Sequence, residues 1–288
     1  MRVNQLKNIK QFDFGSDLHN DFFYNSPDWE NIKHPDSNIL VLAGDISNNV
    51  DIDNQTILKA KEHYEYVLTV DGNHTHYNTM RGVRRLNSVS DNLNKLFHLS
   101  IVNDWYFLPA RDFIVGDTVF IGENGWYNFA HPDYSSTDQI KTWQTYMSDS
   151  RLILFPQNED EHYYNYEVVR KLAEMAKRNL SAKITEYDKN PNINTIVIVT
   201  HTLPQRQALI IKPGKSENNK IWNLLSGSFL NSHMETIHLH STKVKFWCFG
   251  HTHSEHNFKV DHTNFLCNPR GYPTEKTSSN WKPKTVKF

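Results

Sequence analysis

Short apolar runs recur along the chain, and each stops at a glycine or a polar residue. Runs rich in β-branched and aromatic side chains that end in this way are typical of buried strands, although similar runs also occur in helical cores. Five of them lie at residues 11–16, 38–43, 66–71, 195–200 and 244–249. Shorter runs at residues 101–107, 112–115 and 118–121 predict further strands, because proline and glycine residues separate them.

Helical spacing of apolar residues occurs between these runs. Residues 53–64 predict a helix between the second and third strands. Residues 83–99 predict another helix, in which Leu86, Val89, Leu93 and Leu96 form an apolar stripe. Since strands alternate with helices, the sequence predicts an α/β layered fold.

The segment between about residues 125 and 190 has a different pattern, dominated by aromatic, acidic and lysine residues. It predicts one long helix, or two broken helices, over residues 158–187. Its aromatic side chains could stack on a nucleobase, but aromatic residues at helical spacing more often belong to a core. These side chains are Trp126, Tyr127, Trp143, Tyr146, Tyr163 and Tyr164.

Two stretches near the carboxyl end are mainly polar. His233, His238 and His240 lie in a stretch that predicts an amphipathic helix with surface histidines, just before the last of the five runs. The tail after Pro273 predicts partial disorder, because it holds few apolar side chains.

Residue types that bind metal ions follow each of the five main runs. They are Asp17 and His19 after the first run, Asp45 after the second, Asn73 after the third, His201 after the fourth, and His251 and His253 after the fifth. Oxygen and imidazole ligands of this kind suit divalent manganese, iron, zinc, nickel or cobalt. A ligand at the end of a buried strand has a rigid base, while the loop after it stays open to substrate. Two ions about 3.5–4 Å apart can hold a phosphate between them, so this set indicates phosphoester hydrolysis.

The order of these residues resembles the pattern of the calcineurin-like metallophosphoesterases, which is D-x-H, G-D, G-N-H-[D/E], H and G-H-x-H. A single block occurs by chance, but five blocks in the right order are highly specific. The resemblance extends to about residue 272, because Asn268-Pro269-Arg270-Gly271-Tyr272 is similar to the closing loop of many bacterial-type members. It implies a four-layer fold, a two-sheet β-sandwich flanked by helices, in one domain over residues 1–288 with a helical insertion at about residues 125–190.

The resemblance also implies roles for single residues. Each of two metal ions would have four ligands, which are Asp17, His19, Asp45 and His253 for one ion, and Asp45, Asn73, His201 and His251 for the other. Asp45 would therefore bridge the ions. A water or hydroxide activated by both ions would attack the phosphorus, since coordination can lower the pKa of water to about 7. His74 would protonate the leaving oxygen, a task that suits imidazole because it titrates near neutral pH.

The chain departs from the family pattern at two places. Thr75 and His76 stand where the family commonly has an acidic residue after G-N-H, so support for that loop must come from elsewhere. The chain also lacks the G-D-x-x-D-R-G extension of the protein serine/threonine phosphatases, and it has Asn48 and Asn49 at the D and R positions. In that branch the aspartate supports the proton donor and the arginine holds the phosphate. The difference argues against a dedicated protein phosphatase.

Three residues are candidates for contacts to the substrate. They are Asn48, His76 and Arg270, which lie in loops where discrimination between substrates must arise. The loop of Arg270 ends near the metal centre in similar proteins. For Arg270, a structural salt bridge is an equally good interpretation.

Composition narrows the class of partner. The formal net charge is −1 and the sequence pI is near 7.0, which gives no electrostatic footprint for duplex nucleic acid. Arg81, Arg84 and Arg85 could line a local basic groove, but a solvated helix face explains them better. Cys248 and Cys267 lie in apolar runs, where we expect buried free thiols. No apolar signal core or membrane-spanning stretch is evident, so we expect a soluble cytoplasmic protein with no membrane partner.

The sequence therefore predicts a hydrolase that acts on a phosphoester, either a small molecule or a nucleotide, as a phosphodiesterase or a phosphatase. Two alternatives stay open. A nuclease with the same ligands would cleave DNA or RNA in a positively charged groove, and a non-catalytic scaffold would bind metal ions for structure alone. The ligands do not distinguish monoesters from diesters, and the sequence does not set the oligomeric state.

Overall fold

Two mixed β-sheets form the centre of the computed structural model, which describes residues 10–78, 87–157, 160–163, 166–214 and 216–288. The strands of the first sheet are β1 (Gln11–Gly15), β2 (Ile39–Ala43), β3 (Tyr66–Val70), β4 (Tyr106–Phe107) and β13 (Lys284–Lys287). Their order is β13-β1-β2-β3-β4. The first four strands run parallel, whereas β13 pairs antiparallel with β1.

The second sheet carries antiparallel strands at both edges. Its strands are β5 (Phe113–Val115), β6 (Thr118–Glu123), β9 (Thr195–Thr200), β10 (Val244–Phe249), β11 (His256–Val260) and β12 (Thr263–Cys267). Their order is β11-β12-β10-β9-β6-β5, and the four inner strands run parallel. A separate antiparallel hairpin is formed by β7 (Leu154–Gln157) and β8 (Asp160–Tyr163). The five main runs predicted as strands are confirmed as β1, β2, β3, β9 and β10.

Helices cover the outer faces of both sheets. The helices in the described residues are α1 (Trp29–Ile32), α2 (Val50–Lys61), α3 (Val89–Val102), α4 (Ser136–Tyr146), α5 (Asp149–Leu152), α6 (Tyr166–Lys189) and α7 (Glu217–Leu225). Of these, α2 and α3 pack on the first sheet and α6 on the second. The start of α3 is fixed by a capping box between Ser88 and Asp91. No helix in the described part of the chain combines the length and the apolar character needed to cross a membrane.

Buried side chains on both faces of the strands explain the continuous apolar runs. Phe12 of β1 and Val197 of β9 pack together between the two sheets. On β2, the side chain of Leu40 faces away from the second sheet, into a cluster with side chains of α2 and α3. Ile196 of β9 likewise faces the apolar side of α6. The layers are therefore helix, sheet, sheet and helix, which confirms the predicted four-layer architecture.

Several predicted elements have other boundaries in the structure. Ile101 and Val102 belong to α3, so the strand predicted over residues 101–107 is reduced to β4. The helix predicted over residues 158–187 is wrong in its first part, where β8 forms a hairpin, and correct in α6. The tail after Pro273 is ordered, because β13 adds to the edge of the first sheet.

Other predictions concern single side chains. His238 is 1% exposed, so its predicted surface position is wrong, and short 3₁₀ segments replace the predicted amphipathic helix around it. Cys248 and Cys267 are free and buried, as predicted. Trp126, Tyr127 and Trp143 belong to a buried cluster, as expected for core aromatics. The predictions for Arg81, Arg84, Arg85, Leu86 and Tyr164, and for the side chain of Tyr163, lie outside what the structure describes.

Glu123, at the end of β6, should make the stability of the protein depend on pH. Burial raises the pKa of its carboxyl group from 4.5 to about 7, and Asn179 donates a hydrogen bond of 3.0 Å to it. Since the unfolded chain loses this proton near pH 4.5, the stabilisation present below that pH is lost as pH rises to about 7. Glu123→Gln should therefore remove a decline of up to about 3 kcal/mol between pH 4.5 and 7, measured by urea unfolding in the presence of a chelator. Glu186→Gln on the exposed face of α6 is the control, and an unchanged slope in Glu123→Gln would refute the assignment.

Candidate metal centre

The loops after five parallel strands bring the predicted ligands together. Asp45 follows β2 in the first sheet and His201 follows β9 in the second, yet Asp45 Oδ2 lies 3.2 Å from His201 Nε2. This contact places the carboxyl ends of the strands of both sheets at one common edge. Backbone bonds join the loops there, because Asp17 N donates to the carbonyl of Gly44 and Gly250 N to that of His201.

Asp17, His19 and His253 form a first group of donor atoms close enough to hold one metal ion. His19 Nε2 lies 3.0 Å from His253 Nε2, and His253 Nε2 lies 3.7 Å from Asp17 Oδ1. Asp45 belongs to a neighbouring group with His19 and His74. The carboxylate of Asp45 therefore borders this first group.

Asp45, His201 and His251 form a further group, and Asn73 joins it. His201 Nε2 lies 3.0 Å from Asn73 Oδ1 and 3.1 Å from His251 Nδ1. Ligand atoms about 2.0–2.2 Å from one ion lie about 3 Å from each other, so these separations fit a shared ion. Asp45 takes part in donor groups on both sides, which is the position a bridging ligand requires.

The outer nitrogens of three ligand histidines fix their tautomers. His201 Nδ1 donates to the carbonyl of Ala43 at 2.9 Å, and His251 Nε2 donates to that of Ser228 at 3.2 Å. His253 Nδ1 donates to Glu275 Oε2 at 2.7 Å. The remaining nitrogen of each ring therefore faces the donor groups and is the atom available for metal ligation.

The electrostatics of the site and its polar atoms without hydrogen-bond partners also suit bound cations. Asp17 Oδ2 and His19 Nδ1 are buried without a hydrogen-bond partner among the described residues. Burial opposes the protonation of His201, but the Asp45 carboxylate outweighs it and raises the pKa of His201 to about 9. Burial lowers the pKa of His251 to about 3. In the absence of a metal ion, a proton on His201 lies between the lone pairs of the neighbouring donor atoms, which would otherwise repel each other. A metal ion bound in that place would displace this proton.

The backbone is strained at five of the seven candidate ligands. Their φ angles are 51° at Asp17, 45° at His19, 49° at Asp45, 70° at His251 and 50° at His253. Residues other than glycine rarely adopt this left-handed backbone conformation, which costs about 1–2 kcal/mol per residue. Such strain persists where the surrounding structure imposes it, and it gathers at functional sites.

Close approach explains the glycines within the motif. A methyl group at Gly72 would overlap the Asp45 carboxylate, and one at Gly250 would lie 2.7 Å from Asp17 Oδ2. Each glycine therefore leaves room for a ligand that belongs to a neighbouring loop.

His74 belongs to the donor group of His19 and Asp45, but its own ring nitrogens contact residues outside that group. Its Nδ1 donates to Asn48 Oδ1 at 2.6 Å, and its Nε2 lies 3.1 Å from the Tyr272 hydroxyl. Asn48, one of the predicted substrate contacts, therefore orients His74. Thr75, in place of the usual acid, bonds to buried Asp53, which also accepts from Ser47 and so ties the two loops together.

The other two predicted substrate contacts lie in different environments. His76 is fully buried, and its Nε2 lies 2.9 Å from Asp71 Oδ2, so its ring is closed to a substrate that enters from solvent. Arg270 donates to Asn20 Oδ1 at 2.8 Å and lies over the ring of Phe23, without an acidic partner among the described residues. Among the described residues, Arg270 therefore forms no salt bridge.

Three residues around the centre were not predicted from the sequence. Tyr272 stacks on His19 with ring centroids 4.4 Å apart, Glu275 binds His253, and Asp149 accepts from Asn73 Nδ2 at 2.9 Å. Tyr272 gave a signal, since it follows Arg270 in the closing loop. Glu275 and Asp149 lie in stretches without a recognisable motif.

Two sheets flanked by helices, with candidate metal ligands at the carboxyl ends of parallel strands, define the class of metallophosphoesterases. The family model of calcineurin-like phosphoesterases matches residues 12–255, and the chain belongs to this family. It is therefore a metal-binding hydrolase of phosphoric esters. By sequence alone, no curated protein matches the chain.

Solved structures with the same fold have low sequence identity. Phosphopantetheinyl hydrolase from Mycobacterium tuberculosis is similar with a TM-score of 0.72 and 16% identity, over 95% of this chain and 95% of that chain. A dimetal phosphatase from Danio rerio is similar with a TM-score of 0.55 and 13% identity, over 98% of this chain and 93% of that chain. At these identities the similarity establishes the fold alone.

Proposed function

We propose that the protein hydrolyses phosphodiesters of small or nucleotide-like alcohols at a centre of two divalent metal ions. The observation that carries this proposal is the position of Asp45 between two donor groups, one with His19 and His74 and one with His201 and His251. Asp17, His19, Asp45 and His253 would hold one ion, and Asp45, Asn73, His201 and His251 the other. When bound, the ions would offset the charge of the phosphoryl oxygens and acidify a water molecule.

The residues of the chain supply orientation and a proton. Asn48 accepts the Nδ1 proton of His74, so a further proton on the ring must sit on Nε2. That nitrogen faces the Tyr272 hydroxyl, at the border of the first donor group. A leaving oxygen placed there would receive the proton directly, which matters most for alcohols that leave poorly.

Two features favour a diester with a flat organic group. Within the described residues no lysine or arginine contacts the donor groups, which suits the single charge of a diester better than the double charge of a monoester. The ring of Phe22 is 48% exposed and lies edge-on to Tyr272, with centroids 5.1 Å apart. An open aromatic ring beside the centre can stack on a nucleobase.

The test starts from metal-stripped protein, to which manganese, nickel, zinc or magnesium is added. We expect kcat/KM for an aryl phosphate diester to exceed that for the matched monoester by at least about tenfold, or 1.4 kcal/mol of transition-state free energy. Cyclic 2′,3′- and 3′,5′-nucleotides and a phosphopantetheinyl ester form the second panel. Faster turnover of monoesters would contradict the diester proposal. Absence of turnover with every metal, despite two bound ions, would favour a non-catalytic scaffold.

A further inference from the structure

Asp149 is a fully buried carboxylate on the first residue of α5, inside the segment predicted as an insertion. It accepts hydrogen bonds from three groups. Tyr127 Oη donates to Oδ2 at 2.6 Å, and Tyr77 Oη and Asn73 Nδ2 both donate to Oδ1, the latter at 2.9 Å. One of these donors is the side chain of a candidate metal ligand.

The carboxylate decides which way the Asn73 amide faces. An ionised carboxylate only accepts hydrogen bonds, so the NH₂ group of Asn73 must lie on its side. The second N–H of the same group points to the Tyr77 hydroxyl at 3.2 Å, which can accept because its own proton goes to Asp149. Both amide protons are therefore engaged. Asn73 Oδ1 faces His201 Nε2 on the opposite side, where a metal ligand must present its oxygen.

The charge of Asp149 would also complement a nearby cation. No lysine, arginine or histidine within the described residues forms an ion pair with it, so hydrogen-bond donors alone hold its carboxylate. The neighbouring position that could hold a cation is the donor group of Asp45, Asn73, His201 and His251. Tyr127, which donates to Asp149, also lies parallel to the His251 ring with centroids 6.3 Å apart.

We propose that Asp149 is a positioning residue for the second metal ion. The segment around Asp149 would then support the metal centre through a buried hydrogen bond to Asn73. Asp149 locks the Asn73 amide with its oxygen toward the ion and supplies a buried negative charge that complements the ion. This inference rests on the two-metal function proposed above, but it concerns metal binding and not turnover.

The experiment is a metal titration of Asp149→Asn, followed by calorimetry and by elemental analysis of the bound metal. The affinity for the second ion should fall about 10–100-fold, as is typical for the loss of an outer partner of a ligand, while the first ion binds as in the wild type. Asp13→Asn is the matched control. Asp13 is also fully buried and accepts from a tyrosine, Tyr64, but it bonds to no candidate ligand. Asp13→Asn should lower the Tm without changing metal affinity.

A rescue variant separates positioning from folding. Asn73→Asp combined with Asp149→Asn exchanges the donor and the acceptor of the bond, so the new amide can donate to the new carboxylate. This pair should regain most of the lost affinity for the second ion. If Asp149→Asn does not fold, Tyr77→Phe provides the same test, because it removes a hydroxyl bonded to both partners, and we expect a severalfold weaker second ion.

Wild-type affinity for two ions in Asp149→Asn, or in Tyr77→Phe where that variant is needed, would overturn the inference and leave the two-metal proposal intact. A wild-type protein that binds fewer than two ions would instead overturn the two-metal proposal, and this inference with it.

Discussion

Asp45→Asn should remove most of the activity and at least one of the two bound metal ions. The Asp45 carboxylate lies 3.2 Å from His201 Nε2 and accepts a bond of 2.9 Å from the backbone of His74. An amide can offer one oxygen, but its NH₂ group would face one of the two donor groups as a proton donor. Since loss of an outer partner already weakens metal binding 10–100-fold, loss of a shared ligand should lower kcat/KM by at least about 10³-fold.

The measurement combines metal content by elemental analysis with kcat/KM on an aryl phosphate diester. Circular dichroism should show an intact fold, because the strand before Asp45 is held by the apolar clusters on both of its faces. Asp13→Asn again serves as the control and should keep both ions. Full activity of Asp45→Asn would refute the assignment of Asp45 as the bridge.

His74→Asn should slow esters of poor leaving groups far more than activated aryl esters. His74 would donate its Nε2 proton to the leaving oxygen, and a good leaving group departs without that proton. The expected loss is about 10²–10⁴-fold in kcat for an alkyl diester, and much less for a nitrophenyl diester. Both donor groups keep all of their proposed ligands in this variant, so metal content should not change.

The comparison is between two leaving groups on the same protein, which cancels differences in protein concentration and in metal loading. Asn48→Ala should show a weaker form of the same selectivity, because it removes only the acceptor for His74 Nδ1. Equal slowing of both esters in His74→Asn would exclude the role of His74 as the general acid.

Local patterns account for what the sequence predicts well. Each main strand and the ligand after it lie within a few residues of each other, so an apolar run followed by Asp45 or His201 carries both the strand and the site. The predicted layered fold also follows from such runs. A strand that is buried on both faces lacks the alternation of polar and apolar residues that a surface strand has.

Contacts between distant parts of the chain account for what the sequence does not predict. Asp149 bonds to Asn73 across 76 residues, and Glu275 bonds to His253 across 22 residues. A single carboxylate in a polar stretch is usually a solvated residue, and its burial depends on where α5 and the closing loop pack. The order of the tail was not predicted for the same reason, since Lys284–Lys287 becomes a strand only beside β1.

The left-handed backbone at five candidate ligands has an evolutionary consequence. Glycine at any of these positions would relieve about 1 kcal/mol of backbone strain, but the same substitution would remove a candidate ligand. Selection for the proposed metal chemistry would therefore retain these residues against a small gain in stability from glycine. Asp17, His19, Asp45, His251 and His253 are thus positions where the proposed metal chemistry would cost the chain stability.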